Sequence, residues 1–248
     1  MGLTDFHAHL APTPEAKVRL LDTMNQLGIT RAVVVAGGLV NPTTLSRQIS
    51  NGGGNDIPVP NEAIWKLCSE SDGVLFPFYF ANPHQPPIDY ETNGEKFFGL
   101  KLGPAVHGIA LDDARTVAYL VQAQKFGHPV YLHCLSRPGF DIEALIAIAT
   151  GFAKIEFILG HAGIGNCDFA AVDRIAPFSN IHFETSGGFS SVIKYAIQKL
   201  GIGRILFGSE YPLQDPRLEL LKARVTEMTH EALHTNACRL LGLERAHA

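Results

Sequence analysis

Leu3-Thr4-Asp5-Phe6-His7-Ala8-His9 places two histidines, one residue apart, at the end of a short strand-like run over 3–7. Alternate residues of a strand share one face, so both imidazoles project from a rigid element in the same direction. Neutral imidazole is the commonest protein donor to zinc and related ions, which makes His7 and His9 a candidate ligand pair. In a chain with 11 histidines this spacing also arises by chance. Its meaning depends on what the other strands carry at the same end.

Seven further strand-like runs follow, at 31–36, 74–80, 98–102, 129–133, 155–160, 181–185 and 204–208. Between them lie segments of helical character at 14–28, 61–71, 111–126, 140–152, 168–177, 189–200 and 215–228, with another near 229–241. In 111–126 the apolar residues Leu111, Val117, Leu120, Val121, Ala123 and Phe126 roughly follow one helical stripe, and Gly127 supplies the stop. Eight strands alternating with helices predict an α/β protein, a (β/α)8 TIM barrel that tolerates some distortion, rather than an open sheet. At 248 residues the whole chain, 1–248, fits one such domain.

The strands after the first repeat its pattern. His133 ends Pro129-Val130-Tyr131-Leu132, His161 follows Ile158-Leu159-Gly160, and Glu210 follows Leu206-Phe207-Gly208-Ser209. In a closed barrel these ends converge on one mouth, where residues remote in sequence can share a metal and a water. A single strand-end histidine is more often a hydrogen-bonded core residue, but a joint placement points to chemistry. Segments 38–60, with Gly52-Gly53-Gly54, and 82–96, with Pro86-Pro87, follow strands and are expected as substrate loops or simple connections at the same mouth.

Composition narrows the classes. The chain is 46% hydrophobic and 18% charged, with a net charge of −4, which suits a soluble protein with a large core. There is no basic run and the pI is about 6.2, so nucleic acid is not an expected partner. No apolar stretch reaches membrane-spanning length, and none resembles a secretory leader. Four scattered cysteines without a CxxC motif fit a reducing cytoplasm.

Taken together, Asp5-Phe6-His7-Ala8-His9, Gly99-Leu100-Lys101-Leu102, Leu111-Asp112-Asp113, Pro129-Val130-Tyr131-Leu132-His133, Leu159-Gly160-His161-Ala162-Gly163 and Leu206-Phe207-Gly208-Ser209-Glu210-Tyr211-Pro212 resemble the amidohydrolase-related (amidohydrolase 2) family. This family of metal-dependent TIM-barrel enzymes includes aminocarboxymuconate-semialdehyde decarboxylase-like proteins. Asn236-Ala237-Cys238-Arg239-Leu240-Leu241-Gly242-Leu243 is similar to its closing helix, so the resemblance covers almost the whole chain. It implies one divalent metal, zinc first and manganese second, held by His7, His9 and His133, with His161 as acid/base. Glu210 is then a further ligand or the group that takes a proton from water. The family most often has Asp at this position, and the extra methylene can shift the carboxylate by about an ångström.

Lys101 in this setting is expected to orient a substrate carboxylate rather than bridge two metals, the alternative being an ion pair with Asp5 or Glu184. Arg137 could hold a carboxylate through two parallel hydrogen bonds, or be a solvated loop residue. Tyr211 and Trp65 could line a pocket or simply pack. Cys134 lies on the face opposite His133 and is expected to pack, while His84 and His107 fall in mouth loops. The leading function is a metal-dependent hydrolase that cleaves an amide, ester or lactone of a small molecule, one that can bear a carboxylate. Non-oxidative decarboxylation of a small carboxylic acid is the second reading, and a catalytically silent binding barrel the third. The sequence is compatible with a homo-oligomer.

Overall fold

A computed structural model describes residues 2–243; Met1 and 244–248, the extreme ends of the expected domain, lie outside it. Its parallel strands are β1 (Thr4–Leu10), β2 (Arg31–Ala36), β3 (Leu75–Pro77), β4 (Tyr79–Phe80), β5 (Leu100–Leu102), β6 (Val130–Leu132), β7 (Phe157–Leu159), β8 (Ile181–Glu184) and β9 (Ile205–Leu206). Regular ladders join β1-β2-β3 and β4 through β9. Two seams connect these sheets.

At the first seam, 75–80 is one stretch of chain that serves both sheets. Phe78 N donates to Val34 O at 2.9 Å on the β2 side, while Phe98 N reaches Pro77 O and Tyr79 N reaches Gly99 O on the other. β3 and β4 thus form a single stave. At the second seam, Phe6 N donates to Phe207 O at 2.8 Å, Glu210 N to His7 O at 2.9 Å and His9 N to Tyr211 O at 2.6 Å. These bonds run β1 alongside 207–211 and complete a ring of eight staves, the (β/α)8 arrangement expected from the sequence.

Strand periodicity sorts side chains to the two faces of this ring. On β6, Val130 and Leu132 pack outward into the helix layer, and so do Phe157 and Leu159 on β7. Lys101, Tyr131, Ile158 and His182 are register partners across β5 to β8 and take the inner face. Three of these four inner positions are polar or ionisable, and the interior carries chemistry as well as packing.

The helices are α1 (Pro14–Leu27), α2 (Pro42–Asn51), α3 (Asn61–Ser69), α4 (Ile88–Asn93), α5 (Pro104–His107), α6 (Ala114–Phe126), α7 (Ile142–Gly151), α8 (Phe169–Ile175), α9 (Ser190–Leu200), α10 (Pro216–Val225) and α11 (Asn236–Leu240). Local signals set their ends. Thr13 accepts Ala16 N ahead of Pro14 in α1, Asp113 accepts Arg115 N in α6, and Gly28 and Gly127 close those helices with φ of 71° and 69°. No helix among the described residues is long and apolar enough to cross a membrane.

Three local features differ from the sequence reading. β1 runs on through His9 to Leu10 because its pairing with β2 extends to Leu10↔Ala36. Segment 38–60 is not all loop: Asn41 caps α2 by accepting Thr44 N at 2.9 Å. α2 buries only Gln48, so it lacks the apolar stripe that announces a core helix. Likewise 82–96 contains α4 and a short 3-10 turn, Gly94–Lys96. The triple glycine is pinned rather than loose. A Cβ on Gly54 would stand 2.2 Å from the His107 backbone, and Asn55 N donates to Val106 O at 2.9 Å. Only glycine permits that approach.

Asn61, the first residue of α3, stands in for a strand where β2 has ended. Its Oδ1 accepts Phe80 N at 2.9 Å and its Nδ2 donates to Phe80 O at 3.0 Å. Both backbone groups are buried with it. Asn61→Ala should therefore destabilise the fold by about 2 kcal/mol, the cost of buried polar groups left unpaired. Denaturant unfolding checks this, and a loss within error of zero would show that these bonds are replaceable.

Candidate metal centre and its cavity

Three imidazoles converge on one carboxylate at the mouth of the barrel. His7 Nε2 and His161 Nδ1 stand 3.2 and 3.1 Å from Glu210 Oε2, and His9 Nε2 stands 3.2 Å from Glu210 Oε1. One donor atom each from His7, His161 and Glu210 all lie within 4.8 Å of one another. Neither ring nitrogen of His7, nor Glu210 Oε2, has a properly directed hydrogen bond, although all three are buried.

Two backbone devices place these groups. Asp5 Oδ1 accepts both His7 N (3.1 Å) and Ser209 N (2.9 Å), while Ser209 Oγ donates to Asp5 Oδ2, so this carboxylate clamps β1 to the segment bearing Glu210. Burial pushes the Asp5 carboxyl up to about 7 against these hydrogen bonds. His161, Ala162 and Glu210 adopt left-handed backbone with φ of 58°, 55° and 58°. For non-glycine residues this costs on the order of 1–3 kcal/mol each, and such strain gathers at functional sites.

Glu184 secures the His161 corner. Its carboxylate is fully buried and accepts Tyr131 Oη (2.6 Å), Ser186 N (2.5 Å), Ser186 Oγ (2.9 Å) and His161 N (3.1 Å). Ser186 Oγ also stands 3.1 Å from His161 Nδ1. The sequence reading considered Glu184 only as a partner for Lys101. Its place at the C-terminal end of β8 is the same signal that singled out His133 and His161.

Electrostatics fix the charge states. Burial, reinforced by the Lys101 ammonium, holds His7 well below the ordinary histidine value, so it presents a neutral lone pair. Burial would raise Glu210, but the imidazoles of His161, His7 and His9 outweigh it and keep the carboxyl well below its ordinary value. Lys101 is drawn down to about 8 by burial, with Glu210 and Glu184 opposing. It makes no ion pair with Asp5 or Glu184, whose oxygens are taken by the bonds above. Its Nζ lies 4.1 Å from the centre of the Tyr131 ring, on which His7 also stacks at 4.1 Å.

The other sequence candidates fall at varied distances from the cluster. His133 lines the same cavity, but its Nε2 accepts Ala105 N at 2.9 Å, and the structure does not bring it to Glu210. Arg137 donates to Gln48 O at 3.1 Å and stacks on Phe140, tying down the C-terminal part of α2 away from the cavity lining. Tyr211 contributes its backbone to the second seam, and its half-buried side chain packs beside β1. His84 Nε2 meets His107 O and His107 Nδ1 meets Asn55 O, which fastens the loops rather than lining the site. Trp65 packs on the core, and Cys134 is buried with its Sγ on Asp141 O.

A cavity of about 300 Å3 opens above the cluster, with His9, Lys101, His133, His161 and Glu210 at its floor. Strand-end ligands, a buried ammonium and a cavity at the C-terminal mouth make an enzyme site. The amidohydrolase family model matches residues 4–243. The chain belongs to the amidohydrolase family. It is thus an enzyme of the amidohydrolase superfamily, whose members include hydrolases and decarboxylases.

Solved structures with this fold agree along their whole length at low identity. One is 5-carboxyvanillate decarboxylase from Novosphingobium aromaticivorans with bound manganese and 3-methoxy-4-hydroxy-5-nitrobenzoic acid (TM-score 0.69, 13% identity, 98% of this chain and 97% of that one). A second is 2,6-dihydroxybenzoate decarboxylase from Rhizobium (0.70, 17%, 98% and 99%). A third is a probable 2-pyrone-4,6-dicarboxylic acid hydrolase from Acinetobacter baumannii with citric acid bound (0.68, 16%, 98% and 100%). No curated protein matches the sequence.

Because Glu184 positions His161 without facing the cavity, Glu184→Gln should leave metal content intact and lower kcat about 10- to 100-fold, as loss of a supporting carboxylate typically does. Unchanged kcat in a folded, metal-replete variant would reduce Glu184 to a packing role.

Proposed function

We propose that this enzyme is a metal-dependent hydrolase that cleaves an amide, ester or lactone bond in a small carboxylated molecule. The observation that carries the reading is the set of buried, unpartnered donor atoms on His7 and Glu210, converging with His9 and His161. Imidazoles, that of His7 neutral, and an ionised carboxylate form a donor set suited to one divalent ion, zinc by preference, with manganese supported by the relative that holds it. His7, His9 and Glu210 would hold it. When bound, such an ion acts as a Lewis acid that polarises a carbonyl and acidifies water.

The remaining chemistry belongs to the side chains. With its proton on Nδ1, His161 donates to Ser186 Oγ and leaves Nε2 free to take a proton from the attacking water. Returning that proton to the leaving group completes the cycle. Glu184, through Ser186 and the His161 N–H, thereby orients the base, while Glu210 contributes a ligand. Lys101 receives the substrate carboxylate as a point charge. Four free cysteines, three of them buried, support a reducing cytoplasm as the location.

Purified protein should contain about one divalent ion per chain, and His7→Ala combined with His9→Ala should lose it. His161→Asn should retain the metal while kcat falls by a factor on the order of 100 or more, the range of general acid-base catalysis. Elemental analysis with turnover separates these cases. Metal loss in His161→Asn as complete as in the double variant would place His161 among the ligands instead.

Decarboxylation is the second reading, favoured by the decarboxylases among the structural relatives. There the metal-site histidines would supply a proton to carbon in place of water attack. Hydrolysis should release a carboxylate together with an amine or alcohol, without carbon dioxide. Stoichiometric carbon dioxide from the substrate would reverse the assignment.

A further inference from the structure

The cavity above the metal centre has a neighbour. A second cavity of about 430 Å3 lies beside it, and His9, Leu45, Ile49, Phe80, Val106 and Leu213 line both. Each is within or near the size of small-molecule sites, roughly 300–1,000 Å3. Their characters differ. The inner one has an ionisable floor, whereas the outer one is walled by Leu39, Val40 and the α2 face bearing Leu45 and Ile49, opposite Pro212 and Leu213.

Two observations bear on what fills them. Lys101 is only 2% exposed, opens into the inner cavity and has no ion-pair partner among the described residues. A buried cation with no direct ion pair is costly, Glu210 and Glu184 compensating it only from a distance, so a bound anion gains from it. At the outer lip, Ile49 is 49% and Leu213 60% exposed, although both face cavity space continuous with the site. Apolar side chains left uncovered beside a binding site gain by being covered with apolar ligand surface.

We infer that the substrate is an amphipathic carboxylate whose head is held by Lys101 and whose extended apolar tail runs outward between α2 and Leu213. This rests on reading the inner cavity as the substrate site, and it defines the substrate as longer and more apolar than the head alone requires. Gly37 belongs to the same design. A Cβ there would stand 2.9 Å from His9 Cβ, so the β2–α2 connection lies close against the ligand strand and keeps the outer cavity joined to it.

Calorimetric titration of the zinc-loaded protein with propanoate, pentanoate and heptanoate tests the inference without requiring turnover. A failure to hydrolyse any ester or amide therefore leaves this measurement intact. Affinity should rise about fourfold per added methylene, from ~0.8 kcal/mol per buried CH2. Ile49→Asp, a change at an exposed helix position, should flatten that rise. Lys101→Met should weaken every acid by about tenfold or more. Alkylammonium ions with the same tails should bind far more weakly to the unaltered protein, a comparison that does not depend on the Lys101 variant folding. Affinity that stays flat along the series overturns the apolar tail. Equal binding of the ammonium ions, or acids indifferent to Lys101→Met, overturns the carboxylate head.

Discussion

The site depends on the seam where β1 meets the segment after β9. Phe6 N to Phe207 O, Glu210 N to His7 O and His9 N to Tyr211 O fix one register, and in a strand a shift of one residue turns every side chain to the other face. A slip would carry Glu210 away from all three imidazoles. Asp5 guards against this from within, because one buried carboxylate holds His7 N, Ser209 N and Ser209 Oγ together. Ring closure and ligand placement are therefore one event. Neither sheet alone can assemble the centre, since His7 and His9 lie on the first and His133, His161 and Glu210 on or after the strands of the second.

The same logic explains why strain is tolerated where it is. His161 and Ala162 hold left-handed conformations after β7, and the anchors that fix them come from the next stave: His161 N bonds the Glu184 carboxylate, and Ala162 N bonds Glu184 O at 2.9 Å. Glu210, strained in the same way, has its own N–H fixed by His7 O. Each unfavourable dihedral is offset by a hydrogen bond to a neighbouring strand, which a mobile loop could not supply. Preorganisation here is a property of backbone pairing between staves.

This division accounts for what the sequence made legible. Strand runs ending in His7, His9, His133, His161 and Glu210 follow a period of two and a fixed end of the element, both readable locally. That Asp5 would clamp Ser209, 204 residues away, or that Glu184 would collect Tyr131, Ser186 and His161, depends on which staves become neighbours and which inner positions share a layer. His133 shows the converse limit. Its strand-end position is as expected, but the short helix α5 turns Ala105 N onto its Nε2, a contact no spacing foretells. α2 escaped notice for a related reason. It buries no apolar stripe in the core, and its apolar residues face the cavity instead.

That last point bears on how the barrel acquires specificity. The ring supplies a polar floor made almost entirely from strand ends, which leaves little freedom to change without disturbing the metal centre. Selectivity must then come from what is laid over the mouth, and α2 is such an element. Asn41 caps it at one end, and Arg137 and the Gly54–His107 contact fasten its C-terminal side to neighbouring loops. Between these fastenings, Leu45 and Ile49 make no commitment to the core. A helix held at both ends, with its central face uncommitted, can exchange side chains at small cost to folding. The chemistry of the floor and the choice of ligand are physically separable in this molecule, and the apolar wall can vary while the strained, hydrogen-bonded ring stays fixed.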